Sequence, residues 1–322
     1  MRRWLGTARG RAVLYQVGLF AAMGLVAWFF IANTVANLET RKIASGFGFL
    51  GREAGFEIGE TTLLAFSAAD SYLRALAVGL LNTFRVALAG VVLATLAGTL
   101  VGLARLSPNW LLAKLSAAYI EVMRNVPLIV QLFFWYTLIA ENLPGPRDAL
   151  NPLPGVFLSN RGMALPLPGS TPVLEGFNFT GGMVLSPEFA ALLLGLVLYT
   201  AAFVAEIVRA GVLAVDKGQH EAAAALGLSR WRAIRLVVLP QALRVVVPPM
   251  TSQYLNLTKN SSLAVAIGYP DLVSIANTTM NQTGQAIEGI AVIMAVYLTI
   301  SLSISAFMNW YNRRIALRGA TR

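Results

Sequence analysis

The chain has 322 residues, of which 57% are apolar and 12% charged, with a net charge of +10 and a mean hydropathy of +0.65. A water-soluble domain carries roughly 25% charged residues, so much of this surface faces something other than water, which excludes an ordinary soluble enzyme and a disordered chain. The absence of cysteine excludes disulfides, iron–sulfur clusters and cysteinyl zinc, and the single histidine, His220, argues against a His-based metal site or triad.

The first apolar run, 12–32, is interrupted only by Gln16 and follows Arg2, Arg3, Arg9 and Arg11. At about 1.5 Å per residue it spans the roughly 30 Å hydrocarbon layer, and it is too long for a signal-peptide core. Residues 36–74 are mixed and polar. Apolar runs follow at 75–104 and at 115–140, the second interrupted by Glu121, Arg124, Asn125 and Pro127. Residues 141–187 are rich in Pro and Gly and predict a long non-helical excursion outside the membrane. The fourth run, 189–215, carries Glu206 and Arg209 near its end. A basic amphipathic stretch, 216–244, precedes a fifth run that starts near Val245, passes Pro248 and Pro249, and breaks at Lys259, Asn260, Ser261 and Ser262. After a polar stretch at 271–288, the sixth run covers 289–309.

These runs predict an all-α integral membrane protein with six transmembrane helices. The division is an N-terminal part (1–74) with the first helix and an outer loop, a helix bundle (75–312), and a basic tail (313–322). With both termini cytoplasmic, the inner segments hold sixteen Lys and Arg and the outer segments six. That matches the positive-inside rule, so the +10 is a signal of topology and not a nucleic-acid footprint.

Glu221 to Pro240 reads EAAAALGLSRWRAIRLVVLP. Ala222–Leu226 is strong helix former, with Glu221 at the positive end of the helix dipole. Gly227 is placed to end that helix in a left-handed conformation, and Ser229 to cap a second one mixing Trp231, Ile234, Leu236 and Val238 with Arg230, Arg232 and Arg235. Pro240 ends that segment or turns it toward the membrane. The expectation is a helix–turn–helix at the membrane surface, resting on lipid headgroups or on another protein.

The pattern of Glu221, Ala222, Ala223, Gly227, Val237, Leu239 and Pro240 resembles the signature of permease subunits of bacterial ABC importers. Val237 stands where isoleucine is usual. Gly79–Arg85, Glu121–Leu128 with Gln131, and Leu257–Leu263 are similar to the polar amino-acid permease branch, so the resemblance covers roughly 75–312. The extra first helix and the long Pro-rich loop look like the acidic/amide or broad-specificity L-amino-acid subgroup. The resemblance implies a type I importer bundle in the bacterial inner membrane, with 216–244 as the coupling loop seated in a groove of the ATPase subunit. It further implies a second, identical or homologous permease, a periplasmic amino-acid-binding protein, and ATP with Mg bound on the partner rather than on this chain. Gly98–Gly102 lacks a phosphate-cradling ending and reads as close helix contact, so the chain is expected not to be an ATPase itself.

Charges within apolar runs cost perhaps 2.5–3.5 kcal/mol each on insertion scales and should face the bundle interior. Glu121 and Arg124, and Glu206 and Arg209, are three apart and so share a helical face. Each pair either neutralises itself near the inner interface or, with Asn125, lines a substrate pathway. Lys259, beside Asn260, Ser261 and Ser262, either snorkels to headgroups or meets a substrate carboxylate. Gln131 either makes a simple interhelical hydrogen bond or joins that candidate substrate pathway. Arg85 is expected at the outer interface and His220 as a solvated helix residue. A secondary transporter or channel is the rival, but it has no use for the Glu-Ala-Ala loop and should show an internal repeat. A membrane scaffold would not need the charged fifth run.

Overall fold

The computed structural model describes residues 8–40 and 45–315. Arg2, Arg3, Arg41, Lys42, Arg318 and Arg322, counted in the charge balance, lie outside them. Five helices are individually long and apolar enough to span a bilayer, and a bent pair brings the number to six.

α1 (Ala8–Thr40) has an apolar stretch with nothing buried against the rest of the chain, and its later turns border Ile287. α2 (Tyr72–Arg105) starts from Ser71, whose side chain accepts from the Arg74 amide. The third run is not one span but two helices, α3 (Trp110–Asn125) and α4 (Leu128–Ala140), meeting at 105°. Pro127 explains the bend. It offers no amide hydrogen and disfavours helix at Val126, which is extended at φ −92°, ψ 127°.

The excursion at 141–187 folds into strands that the sequence reading did not assign. β1 (Leu150–Leu153), β2 (Val156–Ser159), β3 (Gly162–Leu165) and β6 (Met183–Leu185) form an antiparallel sheet in that order. β4 (Val173–Glu175) and β5 (Asn178–Thr180) form a separate hairpin, joined to the sheet by Phe157 stacked on Phe179 at 4.7 Å. The sheet leads into α5 (Pro187–Leu213), capped by Ser186.

α6 (Lys217–Ala225) and α7 (Arg230–Ala233) follow. Of the two outcomes expected at Pro240, the helix does not end there: a π-helical turn at Ile234–Val238 carries α7 straight into the membrane-length α8 (Leu239–Asn260). Proline leaves a carbonyl without its amide partner, and a wider turn is a known way to absorb that. Nor does the fifth run open at Lys259–Ser262. α8 tightens there into a 3₁₀ turn over Ser261–Ile267, so the backbone stays internally bonded. α9 (Leu272–Thr283) is a short helix, and α10 (Ala286–Ile315) completes the bundle.

The bundle is built on α2 against α5, the most extensive helix contact among the described residues. Glycine makes it possible. A Cβ on Gly98 would lie 2.6 Å from Val204 and 2.7 Å from the Ala201 carbonyl, and one on Gly102 would lie 2.6 Å from the Ala205 carbonyl. Ala201, Ala202, Val204 and Ala205 are fully buried there. Small residues let two backbones approach, and in lipid this close van der Waals contact replaces the hydrophobic effect as the source of association.

One end of the bundle carries the loop at 216–244 and the other the sheet. At the sheet end, residues 45–71 form a strap across the helix ends. Glu60 in the strap pairs with Arg85 of α2 at 3.0 Å, both side chains being largely buried, and the Arg85 guanidinium lies over the Phe189 ring at 4.2 Å. Arg85 thus joins strap, α2 and α5 rather than simply marking an interface. Asn82 donates to the Glu60 and Pro270 carbonyls, tying in the loop before α9. Removing one member of such a buried pair typically costs about 3–5 kcal/mol, because the other charge stays buried without compensation.

The glycine contact yields the first prediction. Gly102→Leu should abolish the monodisperse folded protein in detergent, because its first side-chain atom meets a backbone oxygen that cannot move alone. Gly145→Leu, at a position with open space around it, should leave the thermal melt unchanged; equal melts for the two variants would contradict the contact.

Candidate functional site

At the loop end, α6 starts at Asp216, whose Oδ1 accepts from the Gly218 amide at 2.7 Å. Its C-terminus is a Schellman-type stop: Gly227 has φ +71°, its amide donates to the Ala224 carbonyl at 2.9 Å, and the Leu228 amide donates to Ala223 at 3.1 Å. The left-handed residue expected at Gly227 is therefore present. Ser229 precedes α7 in extended conformation but makes no capping hydrogen bond with its side chain, so the predicted cap is positional only.

The loop divides into a seated face and a free face. Ala223 is buried, and Val215, Val238 and Ala242 form a small apolar cluster under the loop. Gln241 donates to Gln219 at 3.2 Å, fixing α6 to α8. Outward stand Leu226, Trp231, Leu236 and Leu239, with Glu221, Ala222 and Gly227 also exposed. Val237 and Pro240 are half-buried. Leu226 is 79% exposed and Trp231 69%, which is an unusual concentration of apolar side chains beside Arg230, Arg232 and Arg235. A patch of this kind, rimmed by charge, is found where a surface meets another protein or a membrane. His220 is exposed on α6, as expected of a solvated residue.

Above the loop lies a cavity of about 480 Å³, lined by Arg105, Glu121, Arg124, Asn125, Phe203 and Glu206 among others. Four of the candidate pathway residues thus share one space. Their pairing differs from the spacing argument. Glu206 binds Arg209 at 2.5 Å, as the spacing predicts, and also Arg105 at the end of α2. Glu121 and Arg124 form no ion pair with each other; Arg124 lies over Phe203 at 5.0 Å. Arg105 and Phe203 were missed because nothing local links residue 105 to residue 206.

Gln131 stands apart from the cavity. It is buried and donates to the Met123 and Val126 carbonyls at 3.0 Å, so it clasps the bend between α3 and α4. Lys259, Asn260, Ser261 and Ser262 also lie elsewhere. Ser261 is buried and donates to Thr258, Ser262 donates to Lys259, and Lys259 itself is exposed on the last turn of α8. Ser252, Asn256 and Lys259 are all exposed, at spacings of four and three. They make a polar stripe along a membrane-length helix.

A family described as "binding-protein-dependent transport system inner membrane component" matches residues 90–317. The chain is 48% identical to a putative amino-acid ABC transporter permease of Escherichia coli K12, YhdX, over 95% of this chain and 94% of that one. It is 42% identical to AapQ, the general L-amino acid transport system permease of Rhizobium johnstonii, over 95% and 92%. Identity to BztB, the glutamate/glutamine/aspartate/asparagine transport permease of Rhodobacter capsulatus, is 37% over 96% and 95%. Among solved structures, an amino acid ABC transporter crystallised with histidines superposes with a TM-score of 0.56 at 28% identity, covering 76% of this chain and 95% of that one. The methionine transporter MetNI in an inward-facing form gives 0.53 at 16% identity over 76% and 97%, a likeness of fold.

The ion cluster generates the second prediction. Glu206→Gln should lower thermal stability by about 1–3 kcal/mol, since one carboxylate serves two guanidiniums. Glu121→Gln, which breaks no ion pair, should change it by less than about 0.5 kcal/mol. Paired thermal melts of the two purified variants would reveal equal losses if the cluster were unimportant.

Proposed function

The chain belongs to the binding-protein-dependent transport inner-membrane component family, among its amino-acid ABC transporter permeases, and on that basis we propose that it is the translocation subunit of an ATP-driven importer of amino acids. The fold is that of the type I importer permeases. Under this reading the loop end is cytoplasmic, the sheet end is periplasmic, and the substrates are polar, acidic/amide or broad-range L-amino acids. The described relatives named for general L-amino acids and for glutamate, glutamine, aspartate and asparagine support that range.

The polar stripe of Ser252, Asn256 and Lys259 carries the translocation reading. Polar residues within a membrane span face a bundle interior or an aqueous cavity rather than lipid. In a single chain this stripe is exposed, so a second permease subunit facing it would enclose a polar path between the two. Lys259 would attract the α-carboxylate common to all amino acids, with Asn260 and Ser262 beside it. Glu121, Arg124, Asn125 and Glu206 would line the cytoplasmic end of the path, where the cavity offers charge of both signs.

The coupling-type loop supports the energy source. Leu226, Trp231 and Leu236 would enter a groove on an ATPase subunit, and Gly227 keeps the turn between them free of side chain. ATP and Mg bound there would close the ATPases and move Glu221–Pro240 with them, rocking the bundle between outward and inward openings. A periplasmic binding protein would deliver substrate at the sheet end.

Two experiments test this. Gly227→Asp should reduce amino-acid uptake to background in proteoliposomes holding the complete transporter, while membrane insertion and abundance stay at wild-type levels; normal uptake would refute the coupling role. Lys259→Met should lower uptake across a panel of acidic, amide and apolar amino acids by a similar factor, about tenfold for loss of one charge-assisted pair. Uptake per inserted molecule equal to wild type would remove Lys259 from the path.

A further inference from the structure

A second concave site lies at the sheet end, far from the loop-end cavity. It is an open concavity of about 620 Å³, within the size range of small-molecule sites. Its wall is drawn from across the sheet end and includes Glu60 of the strap, Tyr136 of α4, Arg161 of the β2–β3 turn, Asn178 of β5, and Ser186 and Glu188 at the start of α5. Part of this wall, Gly59–Thr62, lies outside the stretch matched by the family.

The charges in this cavity differ in how they are satisfied. Glu60 is committed to Arg85. Of the two arginines in the insertion, Arg147 lies over the Phe177 ring at 5.0 Å. Arg161 is exposed and has neither an ion-pair partner nor an aromatic face among the described residues, and Glu188, beside the Tyr136 hydroxyl, has no ion-pair partner there either. Glu188 in the first turn of α5 complements the helix dipole, which accounts for its position. The dipole does not account for Arg161, which comes from a different element. Its turn is held in place, with the Arg161 amide on the Ser159 hydroxyl at 3.3 Å and the Asn160 amide on the Pro144 carbonyl at 2.9 Å.

From this juxtaposition we propose that the sheet-end cavity is a receiving site for a free zwitterionic α-amino acid, with Arg161 taking the α-carboxylate and Glu188 the α-ammonium. The proposal rests on the amino-acid reading above and extends it. Recognition of the two backbone charges leaves the side chain unread, which suits a wide substrate range. The site also adjoins the strap at Glu60, whose pair with Arg85 over Phe189 joins α2 to α5. A ligand received here therefore waits beside the contact that holds the sheet ends of those two helices together.

The test uses the full chain in lipid nanodiscs with Asn178→Cys as the only cysteine, labelled with an environment-sensitive fluorophore. L-alanine should give a saturable response. L-alaninamide, which lacks the carboxylate, and N-acetyl-L-alanine, which lacks the ammonium, should each bind about tenfold or more weakly. Arg161→Gln should weaken alanine by a similar factor while adding nothing to the loss already seen with alaninamide, and Glu188→Gln should do the same for N-acetyl-alanine. Arg161→Lys should recover part of the alanine response, which also controls for folding. A flat titration means a cavity that holds only solvent, and an alanine response unchanged by both substitutions means binding through other groups; either overturns the site. Uptake by the complete unsubstituted transporter is measured in parallel. Amino-acid uptake with a flat titration rejects this site alone, whereas no uptake of any amino acid rejects the functional reading beneath it.

Discussion

In hydrocarbon no water is present to take up a stray hydrogen bond, and this constraint organises the whole molecule. Several hydroxyls within the spans turn back on their own helices, Thr83 to Gly79, Thr258 to Tyr254, Thr299 to Ala295 and Ser303 to Thr299, while Tyr119 donates to the Leu198 carbonyl of α5 and the Tyr254 hydroxyl bonds with Thr95 of α2. The same rule explains why Pro127 is answered by Gln131. The side-chain amide supplies donors for the carbonyls at Met123 and Val126, beside the interruption. Where the backbone could have opened, at Pro240 and at Ser261, it widens or tightens into another bonded helix instead.

Once polar groups are confined in this way, the ionised ones collect at the two ends. At the loop end Glu206 bridges Arg105 and Arg209 beside a cavity. At the sheet end Glu60 holds Arg85 under the strap. Both clusters involve α2 and α5, the helices whose glycine seam brings their backbones closest. The glycine seam is therefore flanked by an ion pair at each end, Arg105–Glu206 between the two helices and Arg85–Glu60 between α2 and the strap.

The coupling-type loop shows a different balance. Its inward face is made of small or aliphatic residues that seat it on the bundle, and its outward face is apolar with basic neighbours. Little of this face would be tolerated on a soluble monomer. The glycine turn between α6 and α7 is closed by backbone hydrogen bonds alone, so its shape does not depend on any side chain that a partner would need to touch.

The spans, the loop pattern and the membrane setting are legible in the amino-acid sequence because each depends on local composition. An apolar run of sufficient length must be helical in lipid, and Glu-Ala-Ala followed by Gly227 specifies a helix and its stop within a few residues. Other features depend on long-range juxtaposition, and only the tertiary structure decided them. Glu60 and Arg85 are 25 residues apart, and Arg105 and Glu206 are 101 apart, so no spacing rule pairs them. Glu121 and Arg124 have the right spacing, yet Arg124 is drawn to Phe203 of another helix. The Pro- and Gly-rich excursion reads as loop because its strands are only three or four residues long, too short for alternation to show. Their pairing, and the cavity they close with α5, arise only when the chain folds back on itself, since a strand is stabilised by neighbours that its own sequence does not name.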